Sequence, residues 1–317
     1  MTLETGLNDS APVEMSRPDA SRADQPPDGW RLWWLAVRPR TLTISVAPVV
    51  AGTALAWHDS GLLDVRPFLA SLAGALAIQA GTNLFNDVGD ALRGGDQPMR
   101  QGPPRVTALG WATPERVRRA ALACFAVAAV IGLYLVWLGG WPIAALGLAS
   151  LAAGWGYSGG PRPIAYTALG EMFVITFFGL GAVGGTYYLQ AMTLTSPALI
   201  TGLAIGLVAA AVLLANNYRD MEPDRLAGRR TLAIQAGGET SKLIFGTLIV
   251  APMALLASPW GPPGGIITLG AAPLALMLFR RFVSEPRGTA FNAILASTAR
   301  LQLVLAVLLA IGLVMVK

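Results

Sequence analysis

Charge is scarce in this sequence of 317 residues, because only 13% are Asp, Glu, Lys or Arg while 54% are hydrophobic. A soluble domain carries about twice that share of charge, so the composition excludes one and indicates a polytopic membrane protein. The single cysteine, Cys124, excludes an intrachain disulfide. The single histidine, His58, has no neighbour at metal-ligand spacing, which argues for an ordinary loop residue and against a zinc site.

The basic residues follow the apolar segments. Lys and Arg outnumber Asp and Glu by 23 to 18, a balance that in a soluble protein can indicate nucleic-acid binding. They form no separate basic domain, however, so membrane topology explains them better. We therefore expect the lipid bilayer as a partner and no nucleic acid.

Nine apolar segments are long enough to cross a bilayer. They lie near residues 41–57, 67–86, 117–138, 141–158, 168–189, 197–217, 242–260, 264–282 and 292–316. The third and fourth meet at Gly139-Gly140-Trp141-Pro142, which predicts a close hairpin. The predicted fold class is an all-α bundle of nine transmembrane helices.

Two parts of the chain differ in composition. Residues 1–29 are polar and Pro-rich, without the apolar core of a signal peptide, and we predict a disordered cytoplasmic tail. Residues 30–317 form the predicted membrane domain, which opens with Trp30, Trp33 and Trp34 at the interface. With the N-terminus inside, 21 of the 23 Lys and Arg fall on the cytoplasmic side, so the C-terminus is expected outside.

Two acidic clusters end two of the predicted spans. The first extends from Asn83 to Asp96, and the second from Asn216 to Asp224. Carboxylates at the end of a membrane span are costly unless a cation neutralises them, so they indicate function. On a helix, Asn83, Asp87 and Asp90 share one face, and Asn86 and Asp90 are also four residues apart. We expect Pro223 to end the second helix and to place Asp224 in a loop.

Carboxylates surrounded by arginines are suited to holding a Mg²⁺-diphosphate. The metal contacts the acids, while guanidinium groups take the remaining phosphate oxygens and stabilise the leaving diphosphate. Glu171 lies about four residues into the fifth span. We expect it to bind a substrate hydroxyl, to act as a base, or to pair structurally with Arg162 or a tyrosine. Four tyrosines are candidates for an aromatic pocket that attracts a cation, namely Tyr157, Tyr166, Tyr187 and Tyr188.

At these residues the chain resembles the UbiA superfamily of intramembrane prenyltransferases. Asn86-x-x-x-Asp90 with Asp87 is similar to the first motif of that family, and Asn216-x-x-x-Asp220-x-x-x-Asp224 to the second. Further segments resemble those of the family members that prenylate 1,4-dihydroxy-2-naphthoate. They include Arg38-Pro39-Arg40-Thr41-Leu42 and Gly102-Pro103-Pro104-Arg105-Val106-Thr107. The sequence departs from the family pattern in the spacing from Asp90 to Asp96 and in Pro223.

The resemblance implies a UbiA-like bundle around a cytoplasm-facing cavity in a bacterial inner membrane. It also implies Mg²⁺-dependent transfer from a polyprenyl diphosphate to the aromatic acid, with loss of CO₂, in menaquinone biosynthesis. The catalytic residues it implies are Asp87, Asp90, Asp220 and Glu171. The metal ligands are Asp87, Asp90, Asp96, Asp220 and Asp224. The diphosphate- or substrate-binding residues are Asn83, Asn86, Arg105, Tyr157, Arg162, Asn216, Asn217, Arg219, Arg229 and Arg230.

Other functions are compatible with parts of this pattern. A related prenyltransferase acting on 4-hydroxybenzoate, homogentisate or a porphyrin would use the same clusters. An alcohol phosphotransferase of the phosphatidyl type would need an Asp-x-x-Asp-Gly-x-x-Ala-Arg array, which the sequence lacks. A secondary transporter is the alternative from another class, but its acids would lie near the membrane midplane and not at one face.

Overall fold

The computed structural model describes residues 26–92, 101–102, 105–158, 163–258 and 261–317, and these residues contain helices and no strand. We number the helices in chain order. They are α1 (Gly29–Ala36), α2 (Pro39–Ser60), α3 (Val65–Leu92), α4 (Pro114–Ser158), α5 (Gly170–Ala191), α6 (Ser196–Arg219), α7 (Met221–Leu226), α8 (Leu232–Ala257), α9 (Gly265–Ser284) and α10 (Phe291–Met315). Eight of the described helices are long and apolar enough to span a membrane, so the predicted all-α membrane bundle is confirmed.

Helix α4 contains two of the nine predicted spans. Its backbone leaves the helical region at Gly140, where φ is 68° and ψ is −155°, a conformation that suits glycine because it has no Cβ. The chain turns back there, since a Cβ on Gly154 would lie 3.1 Å from Phe125. In a straight helix those two residues would be about 43 Å apart. The predicted hairpin is therefore confirmed, and eight long helices accommodate nine crossings.

The acidic ends of two helices differ from the simple prediction. Helix α3 continues to Leu92, so Asp87 and Asp90 both lie on the helix. The break after α6 occurs at Asp220 and not at Pro223. The expectation that Asp224 lies in a loop was wrong, because Pro223 stands near the start of α7, where its missing N–H costs no helical hydrogen bond.

Helix α6 is the centre of the bundle. It packs against α2, α5, α8 and α10, whereas α4 packs mainly against α3 at the periphery. Small residues allow the closest contact: a Cβ on Gly179 would lie 2.4 Å from the Gly202 oxygen and 2.7 Å from the Gly206 Cα. On the α5 side of this contact, residues Ile175–Gly181 form a π-helical segment, a variation that is frequent at functional sites.

Tryptophans mark the two predicted membrane interfaces. Trp30 and Trp34 on α1 are exposed, and so are Trp137 and Trp141 beside the α4 hairpin, as expected for aromatic residues at the level of the lipid head groups. The opposite face of α1 packs Leu32 against α3 and the segment around Val106. The predicted tail of residues 1–29 ends where α1 begins, at Gly29, and its residues 1–25 lie outside the described chain.

Candidate functional site

A cavity of about 660 Å³ lies inside the bundle, between the two acidic clusters at one end and the α4 hairpin at the other. Its lining on α3 runs from Ser71 to Asp90, a length of helix that rises by about 28 Å. Apolar side chains such as Val136 and Leu146 line the hairpin end. A long apolar group can therefore extend from the polar end into the membrane interior.

Of the predicted site residues, ten line this cavity. They are Asn83, Asn86, Asp90, Arg105, Tyr157, Asn216, Asn217, Asp220, Asp224 and Arg229. The helical spacing explains the first group, since three or four residues bring Asn83, Asn86 and Asp90 onto one face of α3. Residues of both acidic clusters therefore line the same cavity, in agreement with the prediction that the two clusters form one site.

Asp90 is the acid with the most cationic contacts at the polar end. Its Oδ2 pairs with Arg105, and its Oδ1 pairs with Arg229 Nη2 at 2.5 Å. The Tyr166 hydroxyl donates to the same Oδ1 at 3.3 Å. Arg105 lies in the connection that follows α3, whereas Tyr166 and Arg229 come from segments far along the chain, so the tertiary fold assembles this cluster.

Arg229 links the two clusters. Besides contacting Asp90, its Nη1 lies 3.1 Å from Asp224 Oδ1, and its guanidinium stacks over the Tyr166 ring at 4.5 Å from the centroid. Burial opposes its charge, but the carboxylates of Asp90 and Asp224 raise the pKa of Arg229 above its usual range. Acids from both clusters thus converge on one cation.

Asp220 belongs to a more local cluster. It follows the last residue of α6, and its carboxylate accepts from Arg219 Nε at 2.9 Å and Nη2 at 2.5 Å. Arg219 is buried and also donates to Asn216 at 2.8 Å and to Asn292 at 2.6 Å. Arg219 does not line the cavity. Arg219 therefore contacts Asp220 on the side of the carboxylate that faces away from the cavity.

Asp87 does not line the described cavity. It is 1% exposed, and its carboxylate accepts from the Val106 amide at 3.1 Å and from the amide and hydroxyl of Thr107. Asp87 therefore fastens the turn that begins with Arg105. Its predicted metal and catalytic roles stay predictions, and the geometry of the described residues gives it a supporting position.

Glu171 lies behind the cavity wall. It is buried but does not line the cavity, and its Oε1 accepts from Asn217 Nδ2 at 2.9 Å. Asn217 does line the cavity, so Glu171 orients an amide that faces the substrate space. Beside it, Tyr157, Phe173 and Phe177 form a continuous aromatic wall, with ring centroids 5.7 and 4.6 Å apart.

Besides Asp87, Glu171 and Arg219, three predicted residues remain, and the structure describes only one of them, Arg230. Arg230 is exposed and does not line the cavity. Its backbone amide donates to the Tyr166 oxygen at 2.8 Å, and its backbone oxygen accepts from Gln235 Nε2 at 3.0 Å. Asp96 and Arg162 lie outside the described residues. Conversely, sequence reasoning missed Thr107 and Asn292, and it noted Tyr166 only as an aromatic candidate. A single Thr, Asn or Tyr in the sequence gives no indication that its side chain will contact an acidic cluster, so the sequence alone could not identify these three residues.

The donor set fits a hard divalent cation that is shared with a substrate. No group of three or more His, Cys, Asp or Glu close enough to hold a metal occurs in the described residues. Asp90, Asp220 and Asp224 supply carboxylates, and Asn86 adds an amide at the cavity surface. Mg²⁺ is typically bound in this way, by one or two carboxylates together with substrate phosphates and water.

Comparison with known proteins identifies relatives over most of the chain. A 1,4-dihydroxy-2-naphthoate octaprenyltransferase of Mycobacterium tuberculosis is 39% identical over 250 residues, which are 77% of this chain and 83% of the relative. An enzyme of the same name from Escherichia coli is 34% identical, covering 88% of this chain and 94% of its own length.

The fold has solved counterparts. A UbiA homologue from Archaeoglobus fulgidus, bound to GPP and Mg²⁺, superposes with a TM-score of 0.62 at 15% identity, over 89% of this chain and 99% of that one. The sequence profile of the UbiA prenyltransferase family matches residues 45–298. The predicted family is confirmed, and this chain belongs to the UbiA prenyltransferase family.

Proposed function

We propose that this protein transfers a polyprenyl group from a polyprenyl diphosphate to 1,4-dihydroxy-2-naphthoate, with loss of CO₂. The product is the reduced form of demethylmenaquinone, a precursor of menaquinone. The named activity of the relatives from M. tuberculosis and E. coli supports this acceptor. A related acceptor such as 4-hydroxybenzoate is the alternative within the same chemistry.

The observation that carries the proposal is the position of Arg229. It joins Asp90 to Asp224 at the polar end of a long apolar cavity. A polyprenyl diphosphate has the matching polarity, with an anionic head and an apolar chain. Arg105 and Arg229 then exchange part of their contact with Asp90 for phosphate oxygens, to which guanidinium groups bind in a two-point geometry.

A divalent cation would be held by one or two of the carboxylates of Asp90, Asp220 and Asp224 together with the substrate phosphates, and when bound it would supply positive charge to the departing diphosphate. The chain itself contributes Arg105 and Arg229, two guanidinium groups already fixed by buried acids. Fixed charges of this kind stabilise a developing anion without reorganisation. The aromatic faces of Tyr157, Phe173 and Phe177 offer an attractive surface for the allylic cation.

The transfer balances without a base. The allylic C–O bond breaks and its electron pair leaves with the diphosphate, while the naphthoate ring carbon bearing the carboxylate forms the new C–C bond. The carboxylate then departs as CO₂, and the electron pair of that bond restores the aromatic ring. Since no ring proton is removed, the reaction does not require Glu171 as a base, in agreement with its place behind Asn217.

We place the protein in the bacterial cell membrane, with the polar end of the cavity toward the cytoplasm. The distribution of Lys and Arg supports this orientation. The N-terminus would then be cytoplasmic and the C-terminus outside. Both substrates could reach the polar end from that side, the aromatic acid from the cytoplasm and the prenyl chain from the bilayer.

A direct test uses the purified protein in lipid nanodiscs with Mg²⁺ and a radiolabelled polyprenyl diphosphate. Each aromatic acid is supplied separately, and prenylated product and released CO₂ are both quantified. We expect equal amounts of the two from 1,4-dihydroxy-2-naphthoate. Product without CO₂ from 4-hydroxybenzoate would instead favour the alternative acceptor, since that ring loses a proton.

The matched control is the Asp64→Asn variant. Asp64 is an exposed acid that pairs with Arg66 near the other end of the bundle. Its activity should equal that of the wild type. Absence of diphosphate release with every acid, from protein that is folded and binds pyrophosphate, would refute prenyl transfer.

A further inference from the structure

Arg38 has an unusual backbone conformation at the start of the membrane domain. It connects α1 to α2 with φ 55° and ψ 70°, in the left-handed region. Only Met192 shares a positive φ among the other non-glycine residues of the described chain. This conformation is unfavourable for a residue with a Cβ, and such strain persists where the surroundings enforce it, often at functional sites.

Hydrogen bonds from α3 enforce this turn. Asn83 Nδ2 donates to the Val37 oxygen at 2.8 Å and to Thr41 Oγ1 at 3.0 Å. Thr41 Oγ1 in turn donates to the Arg38 oxygen at 2.9 Å. The Asn83 amide nitrogen, predicted from sequence to bind substrate, is thus occupied in fixing the residues on both sides of Arg38.

No carboxylate of the described residues forms an ion pair with Arg38, although the nearby charges of Asp87 and Asp90 favour its charged form. Its Nη2 is buried and has no hydrogen-bond partner within the described chain, although Arg38 lines the cavity. Arg105 and Arg229 share Asp90, and Arg219 has Asp220. Burial and the nearby Arg105 lower the pKa of Arg38 to about 10, which still leaves the guanidinium charged at neutral pH.

A buried charge without a direct partner is expensive. Here the cost comes in addition to a strained backbone, and both place one guanidinium at the wall of the substrate cavity. We propose that Arg38 binds an oxyanion of a substrate, and that Asn83 is the positioning residue that holds Arg38 in its strained conformation. The proposed function enters only in naming the two candidate anions, the carboxylate of the aromatic acid and the diphosphate.

The sharpest variant is Arg38→Gly, because glycine adopts this backbone conformation without strain. If Arg38 serves ligand binding, the variant loses function and gains stability, with a melting temperature about 2 °C or more above that of the wild type. A residue with a purely structural role would give the opposite sign. Arg38→Lys keeps the charge but not the planar fork, so its loss of binding should be intermediate.

Binding is measured as the KM for each substrate in nanodiscs. We expect Arg38→Gly to raise one KM by about 10- to 100-fold, the scale of a charge-assisted pair. A rise for the aromatic acid alone assigns Arg38 to the carboxylate, and a rise for the prenyl diphosphate alone assigns it to the diphosphate. The control is Arg40→Gln, an exposed arginine two residues away, which should change neither KM.

A second readout does not depend on turnover. Pyrophosphate with Mg²⁺, and separately 1,4-dihydroxy-2-naphthoate, should each raise the melting temperature of the wild type, and the Arg38→Gly variant should lose the shift for one of them. This measurement still tests Arg38 if no acceptor is prenylated. In a double-mutant cycle, Asn83→Ala should add little to the KM effect of Arg38→Gly. Unchanged KM values and ligand shifts, or a lower melting temperature with unchanged KM, would overturn the proposal.

Discussion

The two acidic clusters solve the same electrostatic problem in different ways. Asp90 is neutralised by Arg105, from the connection after α3, and by Arg229, from a segment remote in the chain. Asp220 is neutralised by its own neighbour, Arg219, which Asn216 and Asn292 hold in place. The first cluster exists only in the assembled fold, whereas most of the second is built into the end of one helix.

Because of this difference, we expect a substitution at Asp90 to lower both activity and stability, and a substitution at Asp220 to lower mainly activity. At Asp90, one carboxylate compensates two guanidinium groups, so its removal affects several segments together. At Asp220, the arginine keeps two amide partners when the acid is lost. The following variants test that contrast.

The largest effect is expected for Asp90→Asn. Neutralising this acid leaves Arg105 and Arg229 without their shared partner, and breaking a buried pair costs about 3–5 kcal/mol. We expect activity to fall by about 10³-fold, together with a lower melting temperature in detergent. If Asp90→Asn has normal thermal stability, then the pairing of Asp90 with Arg105 and Arg229 does not help to hold these segments against α3.

Asp220→Asn should separate the two properties. Activity is expected to fall by about 10²-fold, because the proposed cation loses a carboxylate. Stability should fall by only about 1 kcal/mol, since Arg219 keeps Asn216 and Asn292. The measurement pairs initial rates with thermal unfolding. A stability loss as large as that of Asp90→Asn would remove the distinction between the clusters.

Asp87→Asn and Thr107→Val form a smaller, matched pair. Each removes part of the connection between α3 and the turn that carries Arg105. Both should lower activity by about 10-fold through misplacement of Arg105, and both should lower stability by about 1 kcal/mol. If Asp87→Asn is inactive while Thr107→Val is normal, Asp87 takes part directly in the reaction, as its sequence motif predicted.

Glu171→Gln should have the smallest effect. Glutamine keeps a carbonyl oxygen that accepts from Asn217, so the amide at the cavity wall keeps its orientation. We expect rates within about threefold of the wild type and an unchanged pH profile, since the transfer needs no base. Loss of a limb of the pH–rate profile would show that Glu171 exchanges a proton during turnover.

The sequence was sufficient to predict the helices and the polar face of α3. Apolar length located every span, and helical spacing brought Asn86 and Asp90 together. The spacing alone could not distinguish Asp87 from Asp90, because Asn83 precedes Asp87 by four residues just as Asn86 precedes Asp90. Only the position of Val106 and Thr107 determines that Asp87 faces a turn and not the cavity.

Other features depend on tertiary contacts that no local pattern contains. Asn292 reaches Arg219 because α10 packs against α6. The left-handed backbone of Arg38 depends on an asparagine 45 residues further along the chain. The break at Asp220 was assigned to the nearby proline, since proline is the stronger local signal. In the first two cases the deciding partner is distant in sequence.

The glycine contact between α5 and α6 limits how this enzyme can diversify. A methyl group on Gly179 would overlap backbone atoms of Gly202 and Gly206, so no other amino acid fits without separating the two helices. Phe173 and Phe177 on α5 and Asp220 at the end of α6 therefore keep a constant separation. Residues such as Val136 on the α4 hairpin line the apolar end of the cavity and take no part in this glycine contact.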